Sequence, residues 1–147
     1  GQDMAKAMQL WSRAAELGLA DAHFCLGVVN YEGRGVQKDL AKARHHFQLA
    51  AKGGNVSAHH YLAFLEAEAG NAPRAVKHAT IAARAGCDDA LTVVRQFYSD
   101  GLVTKDEFAE ALRAHQKSAD EMKSEQRTKA WNWMKAINRG AKLTLCE

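Results

Sequence analysis

The sequence predicts an all-α protein, an α-solenoid of antiparallel helix pairs with about eight helices. Three observations support this class. The 147 residues include one proline, eleven glycines and many alanines, but few valines or isoleucines. Apolar residues recur at helical spacing between the glycines. Short stretches of sequence also recur at nearly constant intervals, which is typical of repeat architectures.

The repeat is visible in the segment from Gly18 to Ala22, which returns as Gly54 to Ala58 and again as Gly86 to Ala90. The motif Asp3-Met-Ala-Lys-Ala7 likewise returns as Asp39-Leu-Ala-Lys-Ala43. Each unit holds two helices, and neither helix buries its apolar face without the next unit, so stacking is expected. We predict repeats over 1–20 (half a repeat), 21–54, 55–86 and 87–122, followed by a basic capping helix and tail over 123–147.

Helix boundaries follow from capping residues and glycines. A helix over 3–17 is followed by one from about residue 22 that ends at Gly33, where two nearby glycines allow positive φ. Asp39 is a natural N-cap for a helix to about residue 51. The next pair spans about 57–69 and 72–85, with Asn71 as the cap and Pro73 in the first turn. The last helices are expected over 89–99, 104–122 and 125–139, and Thr104 and Glu107 form a capping box.

The small side chains in this pattern have a mechanical role. Alanines recur at matching positions of successive units, where they let neighbouring helices approach closely; they are Ala7, Ala15, Ala22, Ala43, Ala51, Ala58, Ala75, Ala83 and Ala90.

Composition excludes several protein classes. A chain with 47% hydrophobic and 25% charged residues suits one folded domain, and this composition excludes collagen, a disordered tail and a disulfide mini-scaffold.

Cys25, Cys87 and Cys146 show no CxxC spacing, which favours reduced structural thiols in a cytosol-like compartment; Cys146 is a candidate reactive thiol. No apolar run reaches the ~18 residues of a membrane span. Because the chain begins with Gly1, we expect a piece of a longer protein, and organellar import stays open.

The net charge of +3 is unevenly distributed. Residues 1–122 contain 14 Lys and Arg against 15 Asp and Glu, whereas residues 123–147 contain six basic residues against two acidic ones. The repeats are therefore neutral and the C-terminal segment is basic.

The run from Ala22 to Gly54 closely resembles a Sel1-like repeat, a relative of the tetratricopeptide repeat. The residues that carry the resemblance are Ala22, Leu26, Gly27, Tyr31, Gly33, Gly35, Val36, Asp39, Lys42, Ala43, Ala50, Ala51 and Gly53. The resemblance extends over about residues 3–122 and weakens after Gly70. Asn30 and Glu66 occupy the repeat position at which the family usually has Tyr. At the equivalent position of the last repeat, Tyr98 matches the family.

The resemblance implies a tetratricopeptide-like solenoid that acts as a protein-interaction scaffold or adaptor without a shared catalytic apparatus. We therefore expect a non-catalytic protein with no cofactor and no small-molecule substrate. The expected partner is a protein or peptide, and one interpretation is that the chain belongs to a multi-subunit complex. The concave face of the solenoid is the expected binding site, lined by the first helix of each pair. Its candidate residues are His23, Asn30, Tyr31, His59, Glu66 and Arg95. The alternative for Asn30 and Glu66 is that both simply face water.

Seven histidines raise the question of a metal site. No two of them form an HxxxH or HExxH pair, so adjacent helical turns offer no pair of imidazole ligands. We expect no metal site, and packing accounts for His46 and His78.

Three interpretations compete for the basic C-terminal segment. Its apolar stripe of Ala130, Trp133, Met134, Ile137 and Ala141 packs on the last repeat, docks a partner protein or an anionic membrane surface, or binds nucleic acid. We favour packing, and nucleic acid is the least favoured because the repeats offer no continuing basic track. The candidate partner-binding residues here are Arg127, Trp131, Trp133, Lys135 and Arg139. The alternative function is accordingly a structural subunit of a larger assembly, docked through this basic aromatic helix.

Overall fold

The computed structural model describes the backbone of residues 2–145 and the side chains of residues 3–139. Within the described residues the chain forms seven helices and no strand. They are α1 (Gln2–Glu16), α2 (Ala20–Glu32), α3 (Leu40–Lys52), α4 (Val56–Glu68), α5 (Ala72–Arg84), α6 (Asp88–Ser99) and α7 (Lys105–Leu145). Each helix packs against the next, and α7 also packs against α5. The predicted all-α solenoid is confirmed, and the predicted number of about eight helices is close.

Local capping explains most helix boundaries. The Asp39 side chain accepts a hydrogen bond from the Lys42 backbone N–H at 3.0 Å, which is the N-cap that the sequence predicts. Gly33 ends α2 with a φ of 72°, a conformation that other residues rarely adopt. At the start of α7 the Thr104 hydroxyl accepts from the Glu107 N–H, while the Glu107 carboxylate accepts from the Thr104 N–H, so the capping box is confirmed. Asn71 lies at the N-cap of α5 but makes no side-chain hydrogen bond there.

The C-terminal helix differs from the prediction. The sequence predicts separate helices over 104–122 and 125–139, whereas α7 continues without interruption from Lys105 to Leu145. The intervening residues contain no glycine or proline to end a helix, and Lys129 pairs with Glu125 one turn earlier at 2.8 Å. The two predicted helices are therefore one.

The core runs along the solenoid as three adjoining clusters. The first joins α1 to α2, the second joins α2, α3 and α4 around Phe47, and the third joins α4, α5, α6 and α7. Alanines dominate these contacts, because Ala43, Ala58, Ala75, Ala83 and Ala90 are all fully buried. Close helix packing through small side chains is thus confirmed at these positions.

The described thiols, Cys25 and Cys87, are free and half-buried; Cys146 lies outside the described residues. Over the described part of the chain no helix is long and apolar enough to cross a bilayer.

Candidate functional site

A groove lies between α1 and α3 in the described surface, with its floor on α2. We call it the N-terminal groove; its volume is about 800 Å³. The floor carries His23, Leu26 and Asn30, three positions on one face of α2. The walls carry polar and charged side chains of both signs, including Ser12, Glu16, Lys38, Asp39, Lys42 and His46.

Asn30 is buried rather than water-facing, with 8% of its surface exposed. Its side-chain amide donates to the backbone oxygen of Leu26 at 2.8 Å. Its own backbone oxygen accepts from the Asp39 N–H at 2.9 Å, so Asn30 ties the end of α2 to the start of α3. The alternative that this residue simply faces water is wrong, because its side chain is buried and donates to the Leu26 backbone oxygen.

Glu66 occupies the equivalent position on α4 and is buried as well, with 3% of its surface exposed. Its carboxylate forms an ion pair with the Arg44 guanidinium on α3. The same guanidinium donates to the backbone oxygen of Leu65 at 3.4 Å. Water exposure is therefore wrong for this residue too, because Arg44 from the preceding repeat covers it.

Tyr31 belongs to an aromatic cluster between the first two full repeats. Its ring contacts that of Tyr61 edge-on, with 5.5 Å between centroids, and the Phe47 ring stacks on Tyr61 at 4.8 Å. The Lys38 ammonium lies 5.6 Å from the Tyr31 ring centroid, close enough for a cation–π contact.

Histidines form two equivalent pairs, one in each of the first two full repeats. The Nδ1 atoms of His23 and His46 lie 3.3 Å apart, and those of His59 and His78 lie 3.1 Å apart. Each pair joins the first helix of a repeat to the second. Sequence spacing missed both pairs because the partners are 23 and 19 residues apart, whereas the periodicity of one helix reports only neighbours three or four residues away.

Burial lowers the pKa of His46, His59 and His78 below the ordinary value of 6.5, because a half-buried imidazole loses hydration of its charged form. Neighbouring positive charge has the same effect on His46 and His78. A hydrogen bond between two Nδ1 atoms needs one donor and one acceptor, so each pair requires at least one neutral ring.

A second cavity, of about 550 Å³, lies between α3, α4 and α5. We call it the histidine cavity. Its lining residues are His45, Gln48, Leu49, Ala51, Lys52, His59, Leu62 and His78.

The predicted concave-face residues do not form one cluster. His23 and Asn30 line the N-terminal groove, and His59 lines the histidine cavity. Tyr31 and Glu66 support packing between repeats, and Arg95 is exposed on α6. Their part in partner binding stays a prediction.

The C-terminal arm, which we define as residues 123–139 of α7, has no packing partner within the described chain. Every side chain from Asp120 to Arg139 is exposed, including Trp133 at 67% and Ile137 at 47%. Trp131 is exposed as well, and the Lys135 ammonium lies 5.2 Å from its ring. The prediction that this stripe packs on the last repeat is wrong for Ala130, Trp133, Met134 and Ile137, because all four side chains are exposed; the side chain of Ala141 lies outside the described ones. Partner binding by Arg127, Trp131, Trp133, Lys135 and Arg139 stays a prediction.

The described side chains contain no group of three or more His, Cys, Asp or Glu residues arranged to hold a metal ion.

Comparisons with known proteins agree with the predicted repeat architecture. A search of curated proteins finds no match. The crystal structure of a Sel1 repeat protein from Oxalobacter formigenes matches with a TM-score of 0.67 and 27% identity, over 82% of this chain. This chain spans about half (51%) of that one. The model of the Sel1 repeat matches residues 1–19, 20–55 and 57–87, more than half of the sequence. Proteins with these repeats generally mediate protein–protein interactions and are typically non-catalytic. With the family model and the solved fold in agreement, this chain belongs to the Sel1 repeat family.

Proposed function

We propose that this chain is a non-catalytic scaffold or adaptor that binds a peptide or protein partner on the concave face of its solenoid, with part of the partner entering the N-terminal groove. The observation that carries this proposal is the groove itself. Three helices contribute to its walls, and its volume of about 800 Å³ is large enough for several side chains of a bound segment.

The chemistry of the groove supports an extended segment that bears both polar and apolar side chains. Leu26 and Met8 offer apolar contacts, while Glu16 and Lys42 offer charges of opposite sign. Opposite charges on facing walls set the direction of a bound chain, because a reversed segment meets like charges. His23 is the member of the predicted set that we expect to touch the partner here.

Glu66 and Asn30 hold together the helices that carry the binding surface. Glu66 holds α4 against α3 through Arg44, and Asn30 holds the start of α3 through Asp39. We propose that both position the binding surface, whereas Tyr31, His59 and Arg95 extend it along the first helices.

The experiment selects peptides from a random display library on the full chain and measures their affinity by calorimetry. Lys42→Glu reverses a charge in the groove, and Ser12→Arg fills it. We expect each to weaken binding about tenfold or more, which corresponds to about 1.4 kcal/mol. Arg95→Glu tests the extension along α6.

Lys117→Glu is the matched control, since Lys117 is exposed on α7 and lines neither cavity. Equal affinities for wild type, Lys42→Glu and Ser12→Arg would exclude the N-terminal groove as the binding site. Glu66→Lys is unsuitable as a surface variant, because it places a second cation beside Arg44 in a buried site.

The exposure of the C-terminal arm favours a second candidate function, that of a structural subunit docked into a larger assembly through this helix. Ala130, Trp133, Met134 and Ile137 form its apolar stripe. Five basic residues and one acidic residue surround the stripe. Charge complementarity therefore favours a partner protein with an apolar groove bordered by acidic side chains.

A further inference from the structure

The histidine cavity differs from the N-terminal groove in the sign of its charges. All eight lining residues lie in the described part of the chain, and none carries a carboxylate. Lys52 supplies a permanent positive charge, and His45, His59 and His78 supply three titratable nitrogen bases. We propose that this cavity binds a carboxylate side chain of an acidic peptide and that its histidine pair takes up a proton when it does so. This site is additional to the N-terminal groove and does not depend on it.

The geometry of the pair suits such a role. The ring centroids of His59 and His78 are 5.4 Å apart and their Nδ1 atoms 3.1 Å apart, so the two rings point toward each other end to end. One proton lies between the two nitrogens when both rings are neutral. A second proton can be added at the bare Nε2 of the donor ring without breaking this bond, which leaves an imidazolium donating to an imidazole. Both Nε2 atoms then carry hydrogens, and either one is a donor for a carboxylate.

Burial and the surrounding charges favour the neutral form of the free pair. Burial is the main cause of the lowered pKa of His78, and the nearby cations Lys77 and Arg74 act in the same direction. His45 and Lys52 approach from α3. Glu66 is the one acidic group near His78, and its charge is already paired with Arg44. The negative charge of a bound carboxylate would offset these cations and raise the pKa of the histidine pair, so that the pair takes up a proton.

Proton uptake on binding has a measurable consequence. A ligand that raises the pKa of one group binds more tightly as the pH falls, by up to about tenfold per pH unit for one linked proton. The equivalent pair of the preceding repeat lies in a different setting, because Glu16 and Asp39 line the N-terminal groove beside His23 and His46. Those carboxylates repel a second acid, which makes the first pair a matched control.

The experiment measures binding of a fluorescent hexaglutamate peptide to the full chain by anisotropy between pH 5 and pH 8, the range in which histidine titrates. Hexalysine is the charge-reversed probe. We expect hexaglutamate affinity to rise as the pH falls, by up to about tenfold per pH unit, and hexalysine affinity not to rise. Circular dichroism at each pH verifies that the chain stays folded.

The variants localise the effect. The double variant His59→Gln/His78→Gln should abolish most of the pH dependence of hexaglutamate affinity. Lys52→Glu should weaken hexaglutamate binding at every pH. His23→Gln/His46→Gln should retain the dependence. The basic C-terminal arm adds only a constant background, because Lys and Arg do not titrate in this range. His45→Gln, at an exposed position that lines the cavity, is a second variant that spares the pair and should retain most of the pH dependence of hexaglutamate affinity.

Two results would overturn the proposal: hexaglutamate binding that does not change with pH in the wild type, or a pH dependence lost equally in both double variants. Neither result affects the N-terminal groove, whose test uses other peptides and other substitutions.

Discussion

The Arg44 guanidinium of α3 forms an ion pair with the carboxylate of Glu66, which is buried on α4 in the following repeat. The pair therefore joins two repeats rather than two helices of one repeat. The buried carboxylate is tolerated because it has an ion-pair partner in Arg44. The Arg44 guanidinium itself is one-third exposed and also donates to the Leu65 backbone oxygen.

Arg44→Ala leaves Glu66 buried without a partner, and we expect it to lower the free energy of unfolding by about 2–3 kcal/mol. This is below the ~3–5 kcal/mol lost in fully buried pairs, because water can reach the vacated site. Urea denaturation measures the change. Arg44→Met/Glu66→Gln removes both charges and should recover at least half of the loss; a double variant less stable than Arg44→Ala would contradict this account.

Gly27 on α2 touches the fully buried ring of Phe47, since a Cβ at Gly27 would lie 2.6 Å from that ring. Alanine is the better helix former by about 1 kcal/mol, yet we expect Gly27→Ala to destabilise the fold by about 1–3 kcal/mol through overpacking. Thermal unfolding measures the effect. In a Phe47→Leu background the same substitution should cost less, and an equal cost in both backgrounds would show that the ring is not the cause.

The half-buried histidines predict a loss of stability in acid. The pKa values of His46, His59 and His78 are lowered in the folded chain from 6.5, so below that pH the unfolded chain binds more protons than the folded one. Their contribution is complete above about pH 6.5 and decreases as the pH falls through 6.5 toward the folded pKa. Urea denaturation at a series of pH values measures the slope.

The contribution of one pair can be isolated. His59→Gln/His78→Gln should flatten this pH dependence of stability, while Lys117→Gln, at an exposed position on α7, should leave it nearly unchanged. Equal slopes in the wild type and the double variant would contradict the assignment.

Truncation after Met122 removes a segment whose described side chains, residues 123–139, are all exposed. We expect the shortened chain to keep its repeats folded, with the free energy of unfolding changed by less than about 0.5 kcal/mol, as for other surface changes. Circular dichroism and urea denaturation measure this. Loss of the fold would show that the C-terminal arm packs on the repeats. Loss of assembly with the fold intact would support the structural-subunit function.

The sequence predicted the features that depend on near neighbours. Glycines marked helix ends, Asp39 and the Thr104–Glu107 box marked helix starts, and the alanine spacing predicted tight stacking. Asn30 and Glu66 stood out as polar residues in a packing slot, although their burial was not foreseen. These signals are readable because capping and helical periodicity act over about four residues.

The helical class and the repeat architecture were thus determined by the sequence alone. Tertiary structure decided which distant side chains meet: Arg44 with Glu66, His23 with His46, and His59 with His78. It also decided that α7 runs on beyond the repeats with Trp133 exposed. Such contacts depend on how far each helix is displaced and rotated against the next, and that geometry results from packing summed over whole helix faces rather than from any local pattern.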